Sequence, residues 1–164
     1  MAADMFLKLD GIKGESHDDK HKDEIEVLSF SWGVSQSGTA GYGGGAGAGK
    51  ASFQDMQIQK RMDSASPILF KHCATGHHIK EATFVARKAG GDKQEYLIIK
   101  LNDILVSSLQ SGGTGHGGGG DETPHETISL NFSKFEADYK PQKQDGTLGA
   151  AIKAGYDLKA GKAT

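Results

Sequence analysis

The chain has 164 residues, 36% hydrophobic and 24% charged, with a formal net charge of −2 and 24 glycines. That length suits one domain with one sizeable core. The near-even charge lacks the basic excess of a nucleic-acid binder, and no polybasic run or basic amphipathic helix marks a membrane surface.

The opening "MAADMFLKLDGIK" has no basic leader before an apolar stretch, so no secretory signal is expected. Phe6 and Lys8 alternate with Leu7 and Leu9, which predicts an edge-like strand. In "GESHDDKHKDE", His17 and His21 stand among seven charged residues, a composition expected of a solvated loop. Its Asp18, Asp19 and Asp23 lack the glycine and final glutamate of a calcium loop.

"IEVLSFSWGVSQ", Ile25 to Gln36, predicts one strand with Leu28, Phe30, Trp32 and Val34 on an apolar face. Ser29, Ser31 and Gly33 form a small polar stripe behind it. Small residues permit close approach by another surface, so the stripe is a candidate lining or interface. Seven glycines then fall between Gly38 and Gly49, and Lys50 closes the run. A phosphate-binding loop would need a serine or threonine directly after that lysine and a helix behind it. The next residue is Ala51, and Met56, Ile58, Lys60 and Met62 alternate with Gln57, Gln59 and Arg61 as in a strand. No nucleotide site is expected.

"SASPILFKHCATG" predicts a helix with Ser66 as N-cap, Pro67 in the first turn and Gly76 beyond the last. Ile68, Leu69 and Cys73 would pack inward. Cys73 is the chain's single cysteine, which excludes an internal disulfide. His72, Cys73, His77 and His78 are competent zinc ligands by type. Adjacent His77 and His78 point apart on a strand, however, and no second ligand pair follows, so no metal is expected. Ile79–Ala89 and Glu95–Leu109 predict a hairpin around Gly90–Asp92. Apolar residues on both faces near Leu97–Leu101 suggest a strand crossing the core, though Lys100, Asn102 and Asp103 bar a membrane span.

A second glycine tract runs from 111 to 124. In "TISLNFSKFEADY", Ile128, Leu130 and Phe132 share one phase and Phe135, Ala137 and Tyr139 the other, which predicts a β-bulge. A last strand is expected at Ala151–Leu158. Many short strands and one short helix predict a mainly β fold, a closed β-barrel formed by two sheets with a flanking helix. No nucleophile elbow or other catalytic motif is present in the sequence, and no cofactor is expected.

Five segments in order resemble the Hcp family, the haemolysin-coregulated proteins of type VI secretion: "MFLKLDGIKGES", "EIEVLSFSWGVSQ", "RKAGGDKQEYLIIKLNDILVSSL", "LNFSKFEADYKPQ" and "AGYDLKA". The resemblance covers nearly the whole chain, residues 1–164, as one Hcp-like domain with glycine-rich loops at 38–50 and 111–124. It implies a homo-hexameric ring that stacks into a tube expelled by a contractile sheath from a Gram-negative cell. Sheath subunits, a VgrG-type spike and small effectors in the lumen are the implied partners, with no nucleic acid and no membrane insertion. It also implies a protein that is cytoplasmic before assembly and then secreted without a cleaved leader.

Ser29 and Ser31 are the candidates for effector contact. By position, Gly41, Tyr42, Gly43, Gly44, Gly45 and Lys50 are the candidates for ring stacking. Ordering about a dozen such residues costs on the order of 10–20 kcal/mol, so a glycine arm is expected to order only where it docks. Two other classes stand beside this reading. One is a secreted effector or metal-dependent hydrolase using the His72–His78 cluster. The other is a small-ligand barrel such as a carbohydrate module, for which the lone tryptophan offers no exposed aromatic platform.

Overall fold

The computed structural model describes residues 3–38, 48–90, 92–116 and 123–164. In chain order, β1 is Ala3–Leu9, β2 Ile25–Val27, β3 Ser29–Ser31, β4 Val34–Gly38, β5 Ala48–Phe53 and β6 Met56–Arg61. Helix α1, Ser66–Thr75, precedes β7 His78–Lys88, β8 Glu95–Gly112 and β9 His125–Asn131. The chain ends with β10 Lys134–Tyr139, β11 Ile152–Asp157 and β12 Lys162–Ala163.

The expected hairpin, β7 with β8, forms the spine, pairing Phe84 with Ile99 and Ala82 with Leu101. β1 lies antiparallel between β7 and β2, so it is an interior strand rather than an edge. Both of its faces are covered: Leu7 and Leu9 point into the core, while Phe6 is buried under the loop of residues 10–24. Along β8 the inner face carries buried Ile99 and Leu101, whereas Ile98 is half-buried and Lys100 exposed. The strand therefore borders the core on one face there and does not cross it.

The remaining strands extend from the free edge of β8. β9 runs along its C-terminal half and then pairs β6, which pairs β3. β10 runs along its N-terminal half, followed by β11 and β12. The ten-stranded sheet is open, not the closed barrel expected, because β2 pairs only β1 and β3 only β6. The cause lies in the segment read as one strand from 25 to 36. Ile25 and Val27 are buried, but the inward phase then passes to Phe30 and Trp32, leaving Leu28 41% and Val34 59% exposed. A phase change interrupts pairing, so β2 joins β1 while β3 joins β6. Between them Leu28 donates its N–H to the Gln59 carbonyl at 2.8 Å.

The slip expected at 132–135 separates β9 from β10, and β8 slips with it. Its inward residues change from Ile99 and Leu101 to Ile104 and Val106 across Asp103, whose φ of 53° is left-handed. Both strands change face together, so the pairing of Leu105 with Asn131 and of Asn102 with Lys134 keeps one register. The register shift itself lies further along β8, between Val106 and Ser108.

Helix α1 buries Leu69 and packs Cys73 against the core, while Ile68 and Phe70 face outward. Gly76 closes it in a left-handed conformation with φ 67°, and His77 donates its N–H to the His72 carbonyl at 3.1 Å. Ser66 is not the N-cap. The N-cap is Ala65, which has no side-chain cap; in the turn before it Asp63 Oδ1 accepts the Ala65 N–H at 3.0 Å and Ser66 Oγ accepts the Asp63 N–H at 3.0 Å. The Ser66 hydroxyl is instead drawn inward by a buried ion pair. Lys60 Nζ lies 2.9 Å from Glu126 Oε2 and 2.9 Å from Asp63 Oδ1, and Ser66 donates to Glu126 at 2.7 Å. Burial opposes ionisation of Glu126, but Lys60, then Ser66 and Ser111, hold its carboxyl below the ordinary range.

Candidate functional site

Ser29 and Ser31 lie on β3, opposite Gln59 and Gln57 of β6. Directly opposed residues share a face, so the register carries the stripe onward. Gln59 faces Thr127 and Gln57 faces Ser129 on β9; Gln110 and Ser108 of β8 lie opposite these in turn. A hydrogen bond of 2.8 Å from Ser108 Oγ to Ser129 Oγ fixes the last step. Two rows, Ser29–Gln59–Thr127–Gln110 and Ser31–Gln57–Ser129–Ser108, thus form an uncharged polar face across four strands. Met56, Ile58, Ile128 and Leu130 occupy the inward positions behind it. Of these residues only Ser29 and Ser31 stand out in the sequence. The alternation in 56–62 and 127–132 already placed the glutamines and hydroxyls outward, but the partners of each strand were not legible.

The chain beyond this face forms a separate ribbon, β4 with β5, in which Val34 pairs Phe53 and Gly38 pairs Ala48. Every residue of β4 is exposed. Lys50 is exposed within β5, so it belongs to the ribbon rather than to the glycine loop. Gly49 is demanded by this packing, since a Cβ there would run into the Ser37 side chain. Gly41, Tyr42, Gly43, Gly44 and Gly45 lie outside the described residues, as do residues 117–122 of the second tract. Aromatic rings moor the ribbon's base. Phe53 sits 5.3 Å from Tyr156, 5.7 Å from Phe135 and 6.4 Å from Phe132, and Trp32 meets Phe135 edge-on at 5.2 Å. The tryptophan is therefore a packing residue, as its inward phase implied.

The histidine-rich segment does not converge on a metal. His72 and His77 stack on each other at 4.2 Å, and burial, then His77 and Lys71, lower the His72 pKa. His78 Nδ1 lies 2.9 Å from Asp103 Oδ1. Among the described residues no group of three or more metal-ligating side chains forms. No helix among them is long and apolar enough to cross a membrane.

The 10–24 segment departs from the solvated loop expected. The segment folds back on itself so tightly that a Cβ on Gly14 would lie 2.5 Å from the Glu24 carbonyl oxygen. His21 is buried, stacked on Phe6, with its ring nitrogens 2.9 Å from Glu24 and 2.8 Å from Glu95. Asp18 pairs with Arg87, whose guanidinium lies 4.8 Å above the Phe6 ring. His17 remains exposed.

Asp103 gathers three partners at the left-handed kink of β8: Lys159 at 2.5 Å, His78, and Ser133 at 3.1 Å. Lys159 first, then His78 and Ser133, lower its pKa from 3.8 to about 2. A depressed folded-state value means these contacts favour the fold above the ordinary pKa and are lost as pH falls from about 4 towards 2. Asp103→Asn tolerates the left-handed backbone while removing that charge. Its melting temperature is expected to fall less steeply than that of the unsubstituted protein across this window; parallel curves contradict the assignment.

The comparisons with known proteins agree with one another. Residues 6–139 match the family described as type VI secretion system effector, Hcp. The chain is 46% identical over 161 residues to Protein hcp1 of Pseudomonas aeruginosa, covering 97% of each chain. It is similar to a solved type six secretion system protein at TM-score 0.92 and 36% identity, covering 99% of this chain and 100% of that one. It is also similar to Hcp1 from Salmonella typhimurium at TM-score 0.82 and 43% identity, covering 100% of both.

Proposed function

Because the chain belongs to the Hcp family of type VI secretion proteins, we propose that the uncharged polar face spanning β3, β6, β9 and β8 lines the channel of its ring and contacts small effectors there. The chain is a type VI secretion tube protein, of a family that forms hexameric rings. The observation that carries the channel assignment is the two-row register from Ser29 to Gln110 and from Ser31 to Ser108. Hydroxyls and amides in two uncharged rows hydrogen-bond a passing protein without a strong electrostatic hold, which suits retention followed by release. Ser31 is exposed on this face, which supports the reading that it meets cargo.

Ser31→Gln and Ser31→Asp replace a small side chain with a longer or charged one on this face. Both are expected to leave ring formation intact and to lower co-purification of a small effector at least tenfold, since each ~1.4 kcal/mol lost is a factor of ten in affinity. Normal cargo retention in rings carrying either substitution overturns the channel assignment.

The β4–β5 ribbon is the docking arm in this reading. Its wholly exposed strand and its separation from the main sheet support contact with a neighbouring ring. A sheath outside, a VgrG-type spike at the tip, and cytoplasmic assembly followed by export complete the proposal. A metal-dependent hydrolase is not favoured, since the His72–His78 side chains engage each other and Asp103.

A further inference from the structure

Among the described residues, one buried side-chain nitrogen or oxygen has no hydrogen-bond partner: Lys88 Nζ. Its placement follows from β7. Ala82, Phe84 and Ala86 are the buried inward residues, and Lys88, at the strand's last position, continues that two-residue phase. The backbone leaves no freedom there, because the Lys88 N–H donates to the Gln94 carbonyl at 2.9 Å. A buried ammonium without an acceptor is destabilising, so its retention calls for a partner.

The same lysine lines a pocket of about 200 Å³ between the β7–β8 hairpin tip and the turn after β10. Lys93, Gln94 and Gln142 line it too, together with Asp92. Lys93 is already engaged, at 2.9 Å from Asp19 and 3.3 Å from Asp18, which raises its pKa. The uncommitted cation is Lys88. The two glutamine side chains can each donate N–H bonds, and the single Asp92 carboxylate disfavours a large polyanion.

We infer that this pocket binds a small oxyanion, a carboxylate or a phosphate, seated on Lys88 with Gln94 and Gln142 as neutral donors. The group is either a free ion or a carboxylate side chain of a second copy of the chain; the recognition chemistry is the same.

Thermal denaturation in sodium phosphate and in sodium chloride of matched ionic strength tests this on the unsubstituted protein, Lys88→Met and Lys88→Arg. In chloride, Lys88→Met is expected to melt higher than the unsubstituted protein, because the orphaned charge is gone. Phosphate at about ten times its dissociation constant is expected to raise the unsubstituted protein's melting temperature by roughly 3–6 °C. Lys88→Arg keeps that response, and Lys88→Met loses it. If a second copy supplies the group, phosphate also disperses higher assemblies of the unsubstituted protein but not those of Lys88→Met. If a free ion supplies it, assembly is unchanged. A lower melting temperature for Lys88→Met in chloride, or equal phosphate responses in all three proteins, overturns the site. The former outcome would mean that the ammonium already has an acceptor within the chain, Asp92 being nearest in sequence.

Discussion

Lys60→Met is expected to cost about 3–5 kcal/mol of folding stability, the usual consequence of removing one member of a buried ion pair. Lys60 is fully buried and Glu126 only 2% exposed. The substitution leaves the Glu126 carboxylate with the hydroxyls of Ser66 and Ser111, at 2.7 and 2.9 Å. For a chain of this length the melting temperature should drop by roughly 6–20 °C. Replacing Lys60→Met together with Glu126→Leu removes the buried Glu126 charge and leaves Asp63 with the Ala65 N–H and the Ser66 hydroxyl, so part of the loss should be recovered. A double variant as unstable as the single one would mean that this cluster does not behave as a pair. Its place explains the size of the effect: it joins β6, β9 and the entry to α1 behind the neutral face, and Ser111 ties in the end of β8. Loosening it should disturb the wall that cargo meets.

Phe53→Ala is the second large effect. Full truncation of a buried phenylalanine costs about 3–5 kcal/mol, and Phe53 is half-buried, so about 2–3 kcal/mol is expected. The ring touches Phe132, Phe135 and Tyr156, three residues of the main sheet region, so its loss frees the ribbon where it is rooted. Electron micrographs of the variant should show rings without ring-on-ring stacks. Stacks as long as those of the unsubstituted protein would contradict the role of β4–β5 as docking arm.

Strands carried by a sustained alternation were legible from the sequence. Met56, Ile58 and Lys60 point inward in β6 as their phase required, and the β7–β8 hairpin forms where its two apolar runs and the intervening glycines placed it. Closure was not legible. A single run, Ile25 to Gln36, looked like one strand because its residues alternate, yet two inward phases meet at Leu28 and the sheet opens there. The phase slip near Phe132 was visible in its own segment, whereas the matching slip across Asp103 was hidden within a continuously apolar stretch. Local composition misled at His21. Seven charged neighbours suggest solvent, but the carboxylates of Glu24 and distant Glu95 satisfy the ring and Phe6 covers it. Lys60 has the same character: its inward phase was evident, while the Glu126 that makes the burial tolerable lies 66 residues away.

The candidate site was half visible. Ser29 and Ser31 stood out because small residues replaced the lysines and glutamates usual on a solvent face. The other six members needed the register between four strands, which no local pattern carries. Lys88 continues the inward phase of Ala82, Phe84 and Ala86, but whether its ammonium meets an acceptor depends on neighbours that no local pattern names.

The central claim is that this chain works by meeting copies of itself. The molar mass of the purified protein in solution, measured by light scattering across a wide concentration range, tests it most directly. A closed annulus with six times the 17.3 kDa chain mass is the predicted result. A species that keeps the mass of one chain at the highest concentration would contradict it.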